Sequence, residues 1–318
     1  MKITTTMTSI PSRAPFSFSC RTCAALLALL VIIPVAHGAD AKPSMQSQAV
    51  ELFKSLTPEQ RKIAVLTYDS PEKDAQQYTG GERPGVPLKQ LDAKQRVLAM
   101  SLLKQFTSDY GAKMCDAIAA QDADEGGMDK YFLVFFGEPG EGKTYGWRIA
   151  EHHLTLVHVE VEKGEPTRFG PILLGADPPL LWDVEEDQLI ALYGAMSEPE
   201  RAKAKGGGKV GIAGNAIEIN VGIKVAELSP TAQEKLKAVY EQRLAFFSDD
   251  IQARVRKLVE GNGGIGAMHV AFWGVADKRC RDGGRWDFKL GNANFLCDFE
   301  NSRRHIHMSM KGKLAQDN

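Results

Sequence analysis

The chain has 318 residues, of which 43% are hydrophobic and 25% are charged, and its formal net charge is -1. This composition is typical of a globular protein that is long enough to bury a sizeable core. The near-neutral charge excludes proteins that bind nucleic acid or an anionic membrane surface mainly through a basic surface.

Residues 1–38 have the pattern of a secretory signal peptide. Arg13 and Arg21 precede an apolar run over residues 23–35, and Ala36 and Gly38 are small residues where a signal peptidase cleaves. The run is shorter than the roughly 20 apolar residues that a membrane span needs. We therefore expect a mature chain of residues 39–318 that is periplasmic or extracellular, with no stable membrane association after cleavage. An uncleaved N-terminal anchor is the alternative.

Three cysteines follow the predicted signal peptide: Cys115, Cys280 and Cys297. An exported protein can form disulfides, and Cys280 and Cys297 lie in neighbouring predicted strands. Three buried free thiols are an equally good interpretation, because cysteine is among the most buried residue types. Both interpretations stay open at the level of sequence.

The first part of the mature chain favours helices. Residues 48–56 have apolar side chains at helical spacing, and Thr57 followed by Pro58 and Gln60 is typical of a helix start. Asp92 is expected to cap a long helical region that reaches about residue 120 and that Gly111 would interrupt.

Strands are predicted next, over residues 130–136, 145–160 and 168–174, because these segments are rich in aromatic and β-branched residues. A helix over residues 185–205, an edge strand over 215–225 and a long amphipathic helix from about residue 228 to residue 261 follow. The last predicted strands cover residues 269–275, 285–290, 294–300 and 305–310. This order favours a single α+β domain, with a mixed or mainly antiparallel sheet packed against long helices.

Residues 137–144, GEPGEGKT, match the pattern of a phosphate-binding loop and follow a predicted strand. In such a loop the Gly-Lys-Thr sequence opens a helix, whose amides hold the phosphates. Here the loop leads into another predicted strand, so we predict a wide hairpin turn and no nucleotide cofactor.

Histidines concentrate in two of the predicted strands, as His152-His153 and as His305-Ile306-His307. Alternate residues of a strand share a face, so the last two imidazoles are expected about 6–7 Å apart, a spacing that one metal ion can bridge. Either His152 or His153 is expected to join them. With Glu151 or Glu300 nearby, these histidines would suit a divalent ion such as Zn, Mn, Fe or Cu.

Two other interpretations of the histidines stay open. In a metal-free site, one histidine would act as a general base while Arg148 or Arg304 holds an anionic substrate. Alternatively, the histidines are structural. No HExxH and no GxSxG sequence occurs, which argues against a zinc protease of that type and against a serine hydrolase. A glycosidase-like pair of carboxylates has no local signature and stays open.

Several motifs resemble one family of exported bacterial and fungal proteins, grouped as domain-of-unknown-function family 3500. They cover nearly the whole mature chain and read LTPEQR at residue 56, GVPL at 85, YFLVFFG at 131, GWR at 146, HHL at 152, LGADP at 174, LSP at 228, FEN at 299 and HIH at 305. The resemblance implies a site at the histidines but no established activity.

The chain departs from that family pattern in two places. The family sequence is similar to W-R-x-E-G-H-H-L, whereas this chain has Ala150 and Glu151 before the histidine pair. Family members also tend to carry a longer acidic and aromatic tail after the final histidines. The first difference moves the carboxylate by one position, onto the other face of the strand. The second would reduce any function that depends on the tail.

The favoured hypothesis is an exported metal-dependent hydrolase or lyase that acts on a small or carbohydrate-like substrate. The predicted metal ligands are His152, His153, His305 and His307, and the predicted catalytic residues are Arg148, Glu151 and Asn301. Trp147, Trp273 and Trp286 would either stack on a sugar or fill the core. The alternative hypothesis is a non-catalytic exported protein that binds a ligand or a metal.

Overall fold

The computed structural model describes residues 43–161, 167–207, 221–302 and 305–315. The predicted signal peptide and most of the edge strand predicted over residues 215–225 lie outside these ranges. No described helix is both long and apolar enough to cross a membrane. The described residues contain the α-helices α1 (Met45–Ser55), α2 (Pro58–Ala64), α3 (Ala93–Phe106), α4 (Asp109–Gln121), α5 (Asp183–Ala195), α6 (Glu198–Ala204), α7 (Pro230–Leu244) and α8 (Asp249–Gly261).

One sheet contains all the described strands, which confirms the predicted α+β class. They are β1 (Val65–Leu66), β2 (Val86–Pro87), β3 (Phe132–Phe136), β4 (Tyr145–Ala150), β5 (Leu154–Glu160), β6 (Arg168–Ala176), β7 (Ile223–Lys224), β8 (His269–Gly274), β9 (Arg285–Gly291), β10 (Phe295–Ser302) and β11 (His305–Lys313). Their order is β1-β3-β4-β5-β6-β11-β10-β9-β8-β7, and β2 also pairs with β3. Among the described pairs, β1 with β3 is parallel and the others are antiparallel.

The glycine-rich loop at residues 137–144 joins β3 to β4 in an antiparallel hairpin. Thr144 directly precedes β4, so Gly142 and Lys143 lead into a strand. They do not begin a helix whose N-terminal amides could bind phosphate. The predicted hairpin turn is therefore confirmed.

Three of the predicted helical regions each contain two helices. In the first, Ser108 caps α4 by accepting a hydrogen bond from the Gly111 amide at 3.0 Å. The predicted break at Gly111 is wrong, because Gly111 lies in the first turn of α4, where an added Cβ would lie 1.9 Å from the Phe246 carbonyl oxygen. Ser197 and Ser248 occupy the same capping position before α6 and α8. In each region a serine at a new N-cap marks the break.

Helical side chains pack on one face of the sheet. Phe106 of α3 meets Trp147 of β4 edge-to-face, with ring centroids 5.6 Å apart. Arg243 of α7 reaches the same face and donates a hydrogen bond to the Ser309 carbonyl oxygen at 3.2 Å. This face carries most of the large buried apolar side chains of the strands and forms the core.

The opposite face of the sheet is crossed by residues 67–84, a segment that we call the strap. Arg148 of β4 donates to the Glu72 carbonyl oxygen at 2.5 Å, and Lys311 of β11 donates to Gln76 Oε1 at 3.0 Å. The strap therefore spans strands from both halves of the sheet through polar contacts.

All three cysteines in the described residues are buried free thiols. Burial raises the pKa of the Cys280 thiol to about 11, since a thiolate would lose its hydration there. The interpretation with free thiols is the one that the structure favours.

Candidate metal centre

The paired histidines lie in a tight turn between two strands. β4 ends at Ala150 and β5 begins at Leu154, and the Glu151 amide donates to the Leu154 carbonyl oxygen at 2.7 Å. The prediction of one continuous strand over residues 145–160 is therefore wrong. The Glu151 side chain stabilises the turn, because its carboxylate accepts a hydrogen bond from the His152 amide.

The turn places His153 in register with Gly175 and His307. The Gly175 amide of β6 donates to the His153 carbonyl oxygen at 2.8 Å, and Gly175 faces His307 of β11 in the next strand pair. Because Gly175 has no side chain, the imidazoles on its two sides can lean towards each other. An added Cβ at Gly175 would lie 2.8 Å from His153 Cδ2 and 3.0 Å from His307 Cδ2.

Three imidazoles from distant parts of the chain converge at this point. His305 Nε2 lies 3.0 Å from His153 Nε2 and 3.0 Å from His307 Nε2. The predicted convergence of the histidine pair with the C-terminal histidines is confirmed, with His153 as the member that joins. These three side chains form a group that could hold a metal ion.

Each of the three imidazoles has a carboxylate on its other nitrogen. His153 Nδ1 lies 3.0 Å from Asp122 Oδ1, and His305 Nδ1 lies 3.4 Å from Asp177 Oδ2. His307 Nδ1 lies 3.8 Å from a carboxylate oxygen of Glu300 on β10. Carboxylates accept hydrogen bonds, so the contact with Asp122 favours a proton on His153 Nδ1 and a lone pair on its Nε2. The carboxylates near His305 and His307 favour the same arrangement through charge.

The centre is closed on one side and open on the other. The side chains of His153 and His307 are 3% and 10% exposed, whereas that of His305 is 32% exposed. Burial, together with His307 and His153, lowers the pKa of His305 to about 4. The imidazole is therefore neutral at pH 7, which is the form that binds a metal ion.

His152 lies beside the centre. Its ring centroid is 3.8 Å from that of His153, and its Nδ1 contacts the Glu151 carboxylate. It also forms a second group of potential ligands with Asp122 and His153. His152 was predicted as a metal ligand, but the structure places it next to the three converging nitrogens and not among them.

The three residues predicted to be catalytic are held in contacts of their own. Arg148 is held by the strap, and Glu151 pairs with Arg83 at 2.5 Å. Asn301 faces Ile306 in register, and its side chain donates to Glu186 of α5 on the helical face of the sheet. Asn301 therefore lies on the sheet face opposite to His305 and His307, which corrects its predicted position, while the roles of Arg148 and Glu151 stay predictions. Arg304, the alternative anion-binding residue, lies outside the described residues.

Sequence reasoning missed two of the carboxylates that support the histidines. Asp177 belongs to the LGADP segment and directly follows β6, whose last residue, Ala176, pairs with Ile306 next to His305. Asp122 lies in a polar turn after α4 that carries no signal of its own. Glu300 was named as a nearby carboxylate from sequence, because it lies a few residues before the final histidines.

A comparison with protein-family models matched residues 39–317 to a family described as protein of unknown function (DUF3500). The comparisons with curated proteins and with solved structures found no match. The matched region contains every residue of the centre described above. The chain belongs to the DUF3500 family.

Proposed function

We propose that this protein is an exported metal-dependent hydrolase or lyase, and that His153, His305 and His307 bind its divalent metal ion. One observation carries the proposal: three Nε2 atoms converge, with two separations of 3.0 Å, while every Nδ1 faces a carboxylate. The predicted small or carbohydrate-like substrate is part of the proposal.

The separations between the nitrogens fit a common ion. A tetrahedral zinc ion at 2.0–2.1 Å from each nitrogen holds its ligand atoms about 3.3 Å apart. The 3.0 Å separations here are close to that value. If all three protons lie on Nδ1, three lone pairs face one another, and a cation between them would stabilise this arrangement.

The donor set supports a catalytic centre over a closed structural one. Structural zinc sites have four protein ligands, whereas catalytic sites have three and leave a position for water or substrate. Imidazole ligands favour Zn, Cu or Fe, while Mn prefers oxygen ligands. A bound zinc ion would lower the pKa of its water to about 7 and so provide a hydroxide. The half-exposed side of His305 would give substrate access.

The carboxylates would orient the ligands. The hydrogen bond between His153 Nδ1 and Asp122 would fix the orientation of that ring and raise the basicity of its Nε2. The carboxylates of Asp177 and Glu300 lie within 4 Å of the other two Nδ1 atoms and would act on them through charge. These carboxylates lie on the Nδ1 side of each ring, so the ligand atoms at the convergence point are the three Nε2 nitrogens.

A second candidate function is metal binding without catalysis. One observation favours it: Arg148 and Glu151 are both held in other contacts, so neither of these two predicted groups is available for acid–base chemistry at the histidines. A hydrolytic assay with metal-loaded protein would separate the two functions.

Metal analysis of protein purified without a histidine tag tests the proposal. We expect about one zinc, copper or iron ion per chain after chelation and reconstitution. A reconstituted, folded protein that retains no metal after dialysis would contradict both candidate functions.

Replacement of Gly175 by alanine is expected to weaken metal binding about 10–100-fold, the range seen when groups that orient metal ligands are altered. The new methyl group would meet His153, His307 and the Ile306 carbonyl oxygen at 2.8–3.0 Å, so the imidazoles would have to separate. Competition with a chromophoric zinc chelator measures the affinity.

Gly194→Ala is the matched control. Gly194 lies in α5, where an added Cβ meets no heavy atom within 4 Å. The zinc affinity of the Gly194→Ala variant should equal that of the wild type. Equal affinities for wild type and Gly175→Ala would show that the glycine does not set the ligand geometry.

A further inference from the structure

A line of side chains leads away from the candidate metal centre across three more strands. His307 of β11 faces Glu300 of β10, Glu300 faces Asp287 of β9, and Asp287 faces Trp273 of β8. Directly paired residues share a face of the sheet, so all four side chains lie on the strap face. We call them the cross-strand row. Three strand spacings of about 4.8 Å give it a length of roughly 14 Å.

Trp273 forms a flat platform at the far end of the row. An added Cβ at Gly206 would lie 2.0 Å from the Trp273 ring, so the backbone there lies against the indole. The indole Nε1 donates to the Gly207 carbonyl oxygen at 3.3 Å, which fixes the ring orientation. Trp273 is half-buried, whereas Trp147, Trp182 and Trp286 are at most 2% exposed. It is therefore the most exposed of the four tryptophans.

The middle of the row is rich in hydrogen-bond acceptors. Glu300 and Asp287 lie directly opposite each other, an arrangement of like charges that costs stability. Burial and the neighbouring Glu300 raise the pKa of Asp287 to about 6. Lys289 lies on the same face, with its Nζ 5.7 Å from the Trp273 ring centroid, and adds a donor. Unfavourable pairs of this kind are more common at functional sites than elsewhere.

The chemistry of the row selects a class of ligand. Paired carboxylates repel phosphates and other polyanions, but they accept hydrogen bonds from hydroxyl groups. The face of an indole ring binds flat apolar surfaces through dispersion. A ligand with many hydroxyl groups and a flat C–H surface combines both properties.

We infer that the cross-strand row is a binding strip for an oligosaccharide, with Trp273 stacking on a sugar unit remote from the histidines. The inference rests on the proposed function, because it places one end of the ligand at the candidate metal centre. Glu300 and Asp287 would accept hydrogen bonds from the sugar hydroxyls between the two ends.

Binding of cello-, xylo-, malto- and chitotetraose to the metal-reconstituted protein tests the inference. We expect at least one tetrasaccharide to bind more tightly than its monosaccharide, and to change the emission of the wild-type protein through Trp273. Trp273→Ala should weaken that binding about tenfold, in line with the contribution of an aromatic contact, and should leave metal content unchanged. Calorimetry measures the affinity.

Tyr110→Ala is the control, because Tyr110 is an exposed aromatic residue on α4, away from the row. It should bind the tetrasaccharide as the wild type does. The inference fails if no tetrasaccharide binds or changes the emission, or if Trp273→Ala binds as tightly as wild type.

The outcomes also separate the inference from the proposed function. A protein that binds zinc but no tetrasaccharide would overturn the binding strip alone. A protein that binds a tetrasaccharide through Trp273 but no metal would overturn the metal-dependent function and retain the ligand class.

Discussion

Replacing His305 and His307 together by alanine is expected to abolish metal binding, because it removes two of the three nitrogens that converge in the candidate centre. In the wild type, zinc at 100 times its dissociation constant should add about 2.7 kcal/mol to the free energy of unfolding. The double variant should show no such increase. Elemental analysis and thermal unfolding with and without zinc measure the two effects.

His269→Ala provides the matched control for this experiment. His269 is a half-buried histidine at the start of β8, outside the group that could hold a metal ion. The metal content and the zinc-dependent stabilisation of the His269→Ala variant should equal those of the wild type. A folded double variant that binds zinc as the wild type does would rule out His305 and His307 as ligands.

Replacing Arg243 by leucine is expected to lower the free energy of unfolding by about 3–5 kcal/mol, the cost of breaking a buried ion pair from one side. Arg243 Nε donates to Glu185 Oε1 at 2.7 Å, and the two side chains are 3% and 5% exposed. The guanidinium also donates to the carbonyl oxygens of Ser309 and Asp298. The variant would leave the Glu185 carboxylate and both carbonyl groups buried without this partner.

Arg256→Leu is the control for Arg243. Arg256 of α8 pairs with Glu241 of α7, but these side chains are 41% and 39% exposed. Solvent screens such a pair, so its loss should cost only about 0–1 kcal/mol. Urea denaturation monitored by circular dichroism measures both variants. If the free energy of unfolding falls by the same amount in both variants, the buried pair of Arg243 and Glu185 has no special role in joining α5 and α7 to the sheet.

The strap adds a constraint on how the centre is reached. The Tyr78 ring lies edge-on to His307, with centroids 5.2 Å apart, and Arg83 at the end of the strap pairs with Glu151 next to the histidine turn. These contacts fix the positions of His307 and of the histidine turn on the strap side of the sheet. His305 and Asp177, whose side chains are 32% and 52% exposed, lie at the open side of the centre.

Several features of this protein could be read from short stretches of sequence. Thr57 and Gln60 form the predicted capping box, because both hydrogen bonds lie within one turn of helix. The hairpin at residues 137–144 followed from the strands on both sides of it. The alternation in His305-Ile306-His307 correctly places two imidazoles on one face of β11, since that pattern depends only on the strand period.

The histidine pair shows why other features could not be predicted. Residues 145–160 are apolar and β-branched throughout, and that pattern is the same in one long strand and in two strands joined by a tight turn. In that turn the Glu151 carboxylate also binds Arg83, a residue 68 positions away. No local pattern contains that contact.

The sequence by itself determined the class of the fold, most of its strands and the two segments that carry the histidines, because propensity, capping and periodicity act over a few residues. Only the tertiary structure decided that His153 joins the centre, that Asp122 and Asp177 support it, and that Gly175 lies between the imidazoles. Those facts depend on the pairing of β6 with β11, strands more than a hundred residues apart in the chain. Such a register is set by packing of the whole sheet, which no single stretch of sequence encodes.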